Sequence, residues 1–306
     1  MIARASPVRA APCRLPPRHL ASPIGETLID LSGTDLTKAT MQKLSLAESM
    51  NFVDKTVVVT GAASGIGKAI ALRFAEAGAS VLLLDVNPKG LSVAVSCLET
   101  TKCQHATYEI DLADKQSIDH FWSNLKRERP PDILVNNAGV YPMQEYLDVD
   151  EQFLEKVLNV NMNSVFWMCQ NFIRLRKERG GVIVNIASIE AVLPFKKATA
   201  HYGMSKAGVI ALTRSLARDF GKSGFRINVI LPGAIRTPGT VSLMKDAILG
   251  VKLDFIKSGY DFHQRIALGR WEEPDDVAKV ALFLSSDLAS YVQGAIVPVD
   301  GGFLTS

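Results

Sequence analysis

Cysteine is scarce in this 306-residue chain, which holds only Cys13, Cys97, Cys103 and Cys169. They make no C-x-x-C pair and no cluster with histidine, so no metal site and no disulfide framework is expected. Reduced thiols in a cytosol-like, cytoplasmic compartment are the reading that fits. Long apolar runs are also missing. The longest, such as Val81-Leu82-Leu83-Leu84, fall far short of the roughly 18 residues that a membrane helix needs, so no membrane partner is expected.

Acid is absent from residues 1–25, which carry Arg4, Arg9, Arg14, Arg18 and five prolines. Arginine without acid resembles an organelle transit peptide. Five prolines, however, would break the amphipathic helix such a peptide forms. Residues 1–49 are therefore expected to be a disordered extension or an unused upstream start, with Met41 and Met50 available as internal starts. That segment holds six of the 34 Lys+Arg and four of the 31 Asp+Glu, leaving 28 against 27 from Met50 onward. The body is nearly neutral, which excludes a broad basic surface for nucleic acid.

From Lys55 onward, short β-branched runs alternate with helical patterns. Strands are expected at Thr56–Thr60, Ser80–Asp85, Gln104–Asp111, Ile133–Asn136, Val182–Ala187, Arg226–Leu231 and Ala295–Val299. Helices are expected near Ile66–Ala77, Leu91–Leu98, Lys115–Arg127, Glu151–Arg176, Ala200–Phe220 and Asp275–Leu284. Alternating β and α elements predict an α/β fold, a doubly wound parallel sheet of about seven strands covered on both faces. No low-complexity linker divides residues 50–306, so they read as one domain. The strandless stretch Thr237–Gly269 mixes apolar residues with Lys and Asp. It reads equally as a lid over an apolar substrate or as an ordinary packing helix pair.

Between the first strand and the first helix lies Thr60-Gly61-Ala62-Ala63-Ser64-Gly65-Ile66-Gly67. Glycine at these positions permits a tight turn and close approach of a pyrophosphate, while N–H groups at the helix start face an anion. Asp85 ends the second strand, where a carboxylate accepts hydrogen bonds from both ribose hydroxyls of NAD and repels the 2′-phosphate of NADP. The turn has no basic residue, which also favours NAD; Lys89 keeps NADP as a minority option.

Tyr202 and Lys206 stand four apart on an expected helix, fourteen residues and more beyond Ser188. Side chains at that spacing share a helix face. A phenol holds its proton until pH ~10, and a nearby ammonium favours the phenolate. A tunable phenol, a helper cation and a nucleotide-binding turn point to hydride transfer between an alcohol or ketone and a nicotinamide.

At these residues the chain resembles the short-chain dehydrogenases/reductases across essentially all of 50–306. The matching pieces are T-G-A-A-S-G-I-G at 60–67, D-L at 111–112, N-N-A-G at 136–139, N-V-N at 159–161, Ser188, Y-G-M-S-K at 202–206, P-G-A-I-R-T at 232–237 and V-D-G-G at 299–302. The resemblance implies a Rossmann-type fold and an NAD(P)-binding catalytic domain. It implies that Gly61, Ser64, Gly65, Ile66, Gly67 and Asp85 bind the dinucleotide, with Asp111 and Leu112 at the adenine and Asn136 and Gly139 beside a ribose. Pro232, Gly233, Ile235 and Thr237 fall next to the nicotinamide carboxamide. Asn161 matches the residue that holds a proton-relay water, Ser188 the one that hydrogen-bonds the substrate oxygen. Tyr202 matches the acid/base, and Lys206 the residue that lowers its pKa and grips the ribose.

Pocket candidates are Val140, Tyr141, Glu190, Leu193, His201 and Ile235, with Tyr141 and Glu190 offered to the substrate. Glu190 by itself reads more simply as a solvated loop acid. Three functions stay open at this point. One is an NAD-dependent dehydrogenase of a secondary alcohol. Another is an NADPH-dependent 3-oxoacyl-[acyl carrier protein] reductase-like enzyme. The third is a dinucleotide-sensing module without turnover. A homotetramer or homodimer is implied by the resemblance alone.

Overall fold

The computed structural model describes residues 44–99, 101, 103–125, 130–235 and 253–306, with the backbone alone at 253–258. Ser45–Ser306 form one compact unit. That unit starts earlier than the expected boundary at Met50. Leu46–Ser49 (α1) is already helical, because Ser45 and Glu48 form a reciprocal capping box. The rest of the 1–49 extension, up to residue 43, lies outside the described residues.

The sheet is parallel, with spatial order β3-β2-β1-β4-β5-β6-β7. Its strands are Thr56–Thr60 (β1), Ser80–Asp85 (β2), Ala106–Glu109 (β3), Ile133–Asn136 (β4), Gly181–Ile186 (β5), Phe225–Pro232 (β6) and Ile296–Val299 (β7). The expected third strand is trimmed at both ends, and the others agree within a residue or two. The order reverses direction between β1 and β4, which opens a crevice at the carboxyl ends of those strands.

Both faces are buried, so the central strands are runs of apolar residues and not alternations. Strand pleating then sends neighbours to opposite sides. Val57 and Val59 join one core while Val58 joins the other; Ile227, Val229 and Leu231 join the second while Ile230 joins the first. On the first side the sheet is covered by Gly65–Glu76 (α2), Pro88–Ser96 (α3) and Pro274–Ser285 (α9), with Phe74 fully buried beneath. On the second side lie Lys115–Ser123 (α4), Ser164–Leu175 (α6) and Ala200–Phe220 (α7). Truncating a fully buried Phe such as Phe74 to Ala costs about 3–5 kcal/mol.

The expected single helix Glu151–Arg176 is interrupted. Glu151–Leu158 (α5) passes through one π turn, Asn159–Asn163, before α6 begins. The Ser164 hydroxyl donates to Val160 O at 2.6 Å, taking up a carbonyl of the widened turn. Single π turns inside α-helices often mark functional positions, and this one carries Asn161. Of the strandless stretch Thr237–Gly269, only Leu253–Gln264 (α8) and the residues after it are described. Thr237 and the rest of that stretch up to residue 252 lie outside the described residues. No helix among the described residues is long and apolar enough to cross a membrane.

Candidate active site

The glycine turn sits at the carboxyl end of β1. Gly61 and Gly65 have φ of +65° and +54°, which an L side chain rarely adopts. A Cβ on Gly67 would lie 2.1 Å from Gly61 O and 2.5 Å from Asn137 Nδ2, so the turn and the start of α2 are in direct contact. Ser64 occupies the N-cap of α2 but its side chain makes no capping bond. The first N–H groups of the helix are therefore left for an anion, and the glycine cradle fits a pyrophosphate. Asp85 stands beside it at the end of β2. Its Oδ2 accepts from Ala63 N at 3.0 Å and its Oδ1 from Asn87 N at 3.0 Å, so the carboxylate is fixed against the turn. Asp111 is exposed beyond β3, with Oδ1 accepting from Ala113 N at 2.9 Å, and Leu112 is buried.

A cavity of about 650 Å³ runs from Ile66 of this turn past Gly139 to Ser188, Tyr202 and Lys206, with Pro232, Gly233 and Ile235 in its lining. Tyr202 and Lys206 project from one face of α7, and Ser188 follows β5. The Tyr202 hydroxyl hydrogen-bonds Ser188, whose Oγ also accepts from Glu190 N at 3.2 Å. Lys206 Nζ donates to Ile186 O at 3.0 Å and lies 5.9 Å from the centroid of the Tyr202 ring. Gly139 has no side chain where Lys206 and Asn161 come together: a Cβ there would lie 3.3 Å from both Lys206 Nζ and Asn161 Oδ1.

The electrostatics differ from the expected ones. Burial pushes the Tyr202 phenol above its ordinary range, the Ser188 bond pulls it back in part, and the charge of Glu190 raises it further. Burial also lowers the Lys206 ammonium, to about 8. Burial sets the net direction for the phenol in this state. Both ionic forms are desolvated, and the ammonium is turned to a carbonyl instead of the hydroxyl.

Two further placements correct the sequence reading. Asn136 points into the core, donating to Asn185 Oδ1 at 2.8 Å and Cys169 Sγ at 3.3 Å, so its side chain is not beside a cofactor ribose. Its neighbour Asn137 lines the cavity and donates to Thr60 O at 2.9 Å and Gly61 O at 3.2 Å, holding the glycine turn. Adjacent residues of a strand end face opposite sides, which decides between them. Asn161 uses its amide on protein groups. Its Oδ1 accepts from Val140 N at 2.7 Å, and its Nδ2 donates to Val140 O at 2.9 Å and Ser205 Oγ at 3.2 Å. One amide hydrogen thus fastens the loop after β4 and the other ties Asn161 to Ser205 on α7.

Glu190 is not a solvated loop acid. It is 3% exposed and lines the cavity. Thr199 Oγ1 donates to its Oε1 at 2.7 Å, and Tyr141 hydrogen-bonds it as well. Burial holds its carboxyl above the usual carboxylate range. Tyr141 packs edge-on to Tyr202, with ring centroids 4.5 Å apart. His201 Nε2 donates to Pro142 O at 2.8 Å, and the residue is buried at the start of α7. Lys196 and Phe195 also line the cavity, and no local signal in the sequence marks them. Among the described cysteines, Cys97, Cys103 and Cys169 are free thiols.

Comparison with known proteins agrees with this architecture. A family model described as Enoyl-(Acyl carrier protein) reductase matches residues 61–304. The 3-oxoacyl-[acyl-carrier-protein] reductase FabG of Thermotoga maritima is 34% identical over 257 residues, covering 83% of this chain and all (100%) of that protein. An NAD-dependent glycerol dehydrogenase of Listeria innocua is 35% identical, covering 84% of this chain and 96% of that one. A protein of Agrobacterium tumefaciens, assigned provisionally as a 2-deoxy-d-gluconate 3-dehydrogenase and crystallised with NADP, superposes with a TM-score of 0.76. It is 32% identical, and the match covers 84% of this chain and 99% of that one. The chain belongs to the short-chain dehydrogenase/reductase family. It is a dehydrogenase/reductase that interconverts CH–OH and carbonyl groups with NAD or NADP.

Proposed function

We propose that this enzyme interconverts a secondary alcohol and its ketone with NAD(H), using Tyr202 as the general acid and base. One observation carries the reading: Tyr202, hydrogen-bonded to Ser188 and close to Lys206, faces a cavity continuous with the glycine turn. The bound nicotinamide supplies the hydride acceptor or donor. Tyr202 gives its proton to the substrate oxygen in reduction and removes it in oxidation. Ser188 Oγ donates to that oxygen as charge builds on it. Lys206 holds the phenolate once it forms, and burial makes its charge count for more than in water. Because burial keeps the phenol protonated, the state described here is poised to act as an acid on a carbonyl.

The residues at the turn fit a dinucleotide, and Asp85 favours NAD. Its carboxylate is pinned to Ala63 N and Asn87 N, where it meets a ribose hydroxyl favourably and a 2′-phosphate unfavourably. On the substrate side, Glu190 and Tyr141 offer hydrogen bonds to a second polar group on the substrate. The family resemblance supports a homotetramer or homodimer, to be measured by light scattering.

A second reading is supported by the similarity to the T. maritima reductase and by NADP in the A. tumefaciens structure: an NADPH-dependent 3-oxoacyl thioester reductase. One assay separates the two. Purified enzyme is mixed with NAD or NADP and a panel of alcohols, or with the reduced dinucleotides and ketones including a 3-oxoacyl thioester. Turnover is followed at the reduced-nicotinamide absorbance. Activity with NADP alone overturns the argument from Asp85, and dinucleotide binding without turnover on any substrate returns the sensing module.

A further inference from the structure

Pro232, Gly233, Ala234 and Ile235 line the same cavity as Tyr202, and what holds them there is not local. The Gly233 N–H is shared between Val299 O at 2.9 Å and Glu272 Oε2 at 2.8 Å. Ile235 forms an isolated parallel bridge with Glu272. Glu272 is 8% exposed, and its second oxygen, Oε1, is buried without a hydrogen-bond partner.

The neighbouring charges do not neutralise it. Glu272 shares a small cavity of about 220 Å³ with Arg270, Asp276 and Asp300. Arg270 is taken by both oxygens of Asp276, at 2.7 and 2.9 Å. Asp300 accepts from Gly302 N at 3.0 Å and Leu304 N at 2.9 Å. Gly233 leaves little room for a looser arrangement: a Cβ there would lie 3.1 Å from Glu272 Oε2 and 3.0 Å from Asp300 Cα. A buried carboxyl with an orphan oxygen destabilises a fold, and such a cost is usually tolerated where it serves a site.

We propose that Glu272 is a positioning residue: its carboxyl clamps Gly233, fixes residues 232–235 along the cavity, and thereby sets dinucleotide affinity without touching cofactor or substrate. The proposal rests on the reading of that cavity as the dinucleotide site. The carboxyl needs only an acceptor atom toward Gly233 for this task, so an amide of the same shape performs it. A methyl group does not.

The test compares the full-length wild type, Glu272→Gln and Glu272→Ala. Backbone hydrogen exchange is followed by mass spectrometry in the peptide covering 230–236, with the core peptide 80–85 as reference. Dinucleotide affinity is titrated by fluorescence. For Glu272→Ala, exchange in 230–236 rises while 80–85 stays as in wild type. Its dinucleotide Kd weakens about 3- to 10-fold, as expected for one lost hydrogen bond, with kcat at saturation little changed. Glu272→Gln restores both readouts to within about twofold.

The clamp is overturned if Glu272→Ala leaves exchange in 230–236 and dinucleotide Kd at wild-type values. It is equally overturned if exchange rises in both peptides together, which marks general destabilisation, or if Glu272→Gln fails as badly as Ala. Should the wild type bind neither dinucleotide, the reading of the cavity falls, and exchange in 230–236 still decides whether Glu272 holds the segment.

Discussion

Replacing Tyr202 by Phe removes one oxygen and leaves the rest of the residue in place. The ring keeps its edge contact with Tyr141 at 4.5 Å and stays 5.9 Å from Lys206 Nζ. Ser188 loses one partner but still accepts from Glu190 N at 3.2 Å. One net hydrogen bond is worth about 0.5–1.5 kcal/mol, and the loss is partly offset because a polar group no longer has to be buried. Stability should therefore move by no more than about 1 kcal/mol, or ~2–4 °C in Tm for a domain of this size. Turnover should fall far more. General acid–base transfer is worth ~10²–10⁴-fold, equivalent to about 2.7–5.4 kcal/mol of barrier. The contrast between a small stability change and a large rate change is the signature sought. Steady-state rates with a responsive alcohol, a fluorescence titration with NAD and a thermal melt provide the three readouts. Near-wild-type turnover would refute the acid–base role. So would a rate loss fully explained by weaker NAD binding, because then the hydroxyl would be serving the cofactor and not the proton.

Asp85→Ala should weaken NAD and narrow its advantage over NADP, measured as the ratio of the two dissociation constants; an unchanged ratio would place the discrimination elsewhere. Gly67→Ala must move either α2 or the turn, since the new Cβ starts 2.1 Å from Gly61 O. Overpacking of this kind costs about 1–3 kcal/mol or more, so both Tm and dinucleotide affinity should drop, and normal values for both would contradict the described contact. The buried Glu272 carboxyl is raised from its ordinary 4.5 to about 8 by desolvation, with Asp276 and Asp300 adding to the shift. The folded protein then binds a proton that the unfolded chain has released, so stability falls as pH rises between those two values. Glu272→Gln should flatten that part of a urea-denaturation profile, and an unaltered slope would mean that the carboxyl is ionised when folded.

Much of this protein is written locally. The β-branched runs Thr56–Thr60 and Arg226–Leu231 and the helical spacing around Tyr202 and Lys206 specify a parallel α/β sheet, because their periods reflect burial on both faces. The glycines of the 61–67 turn are legible for the same reason: positive φ and close backbone approach are demands on a single residue. Ser188, Tyr202 and Lys206 could be placed together because strand ends in such a sheet converge on one edge. Other features depend on what a distant segment brings. Asn136 and Asn137 are chemically identical, and only the pleat at the end of β4 decides which one reaches the cavity. Glu190 became a buried wall residue because Thr199 and Tyr141 close over it, and Glu272 because Gly233 comes to meet it.

The helix around Asn161 widened into a π turn where the Val140 backbone captured its amide. By itself, then, the chain determined its layers, its nucleotide turn and its pair of phenol and ammonium. Tertiary structure alone decided which polar groups lose water, and with that the direction in which Tyr202, Lys206 and Glu272 shift. Periodicity is a property of neighbours along the chain, whereas desolvation is a property of whatever packs across space.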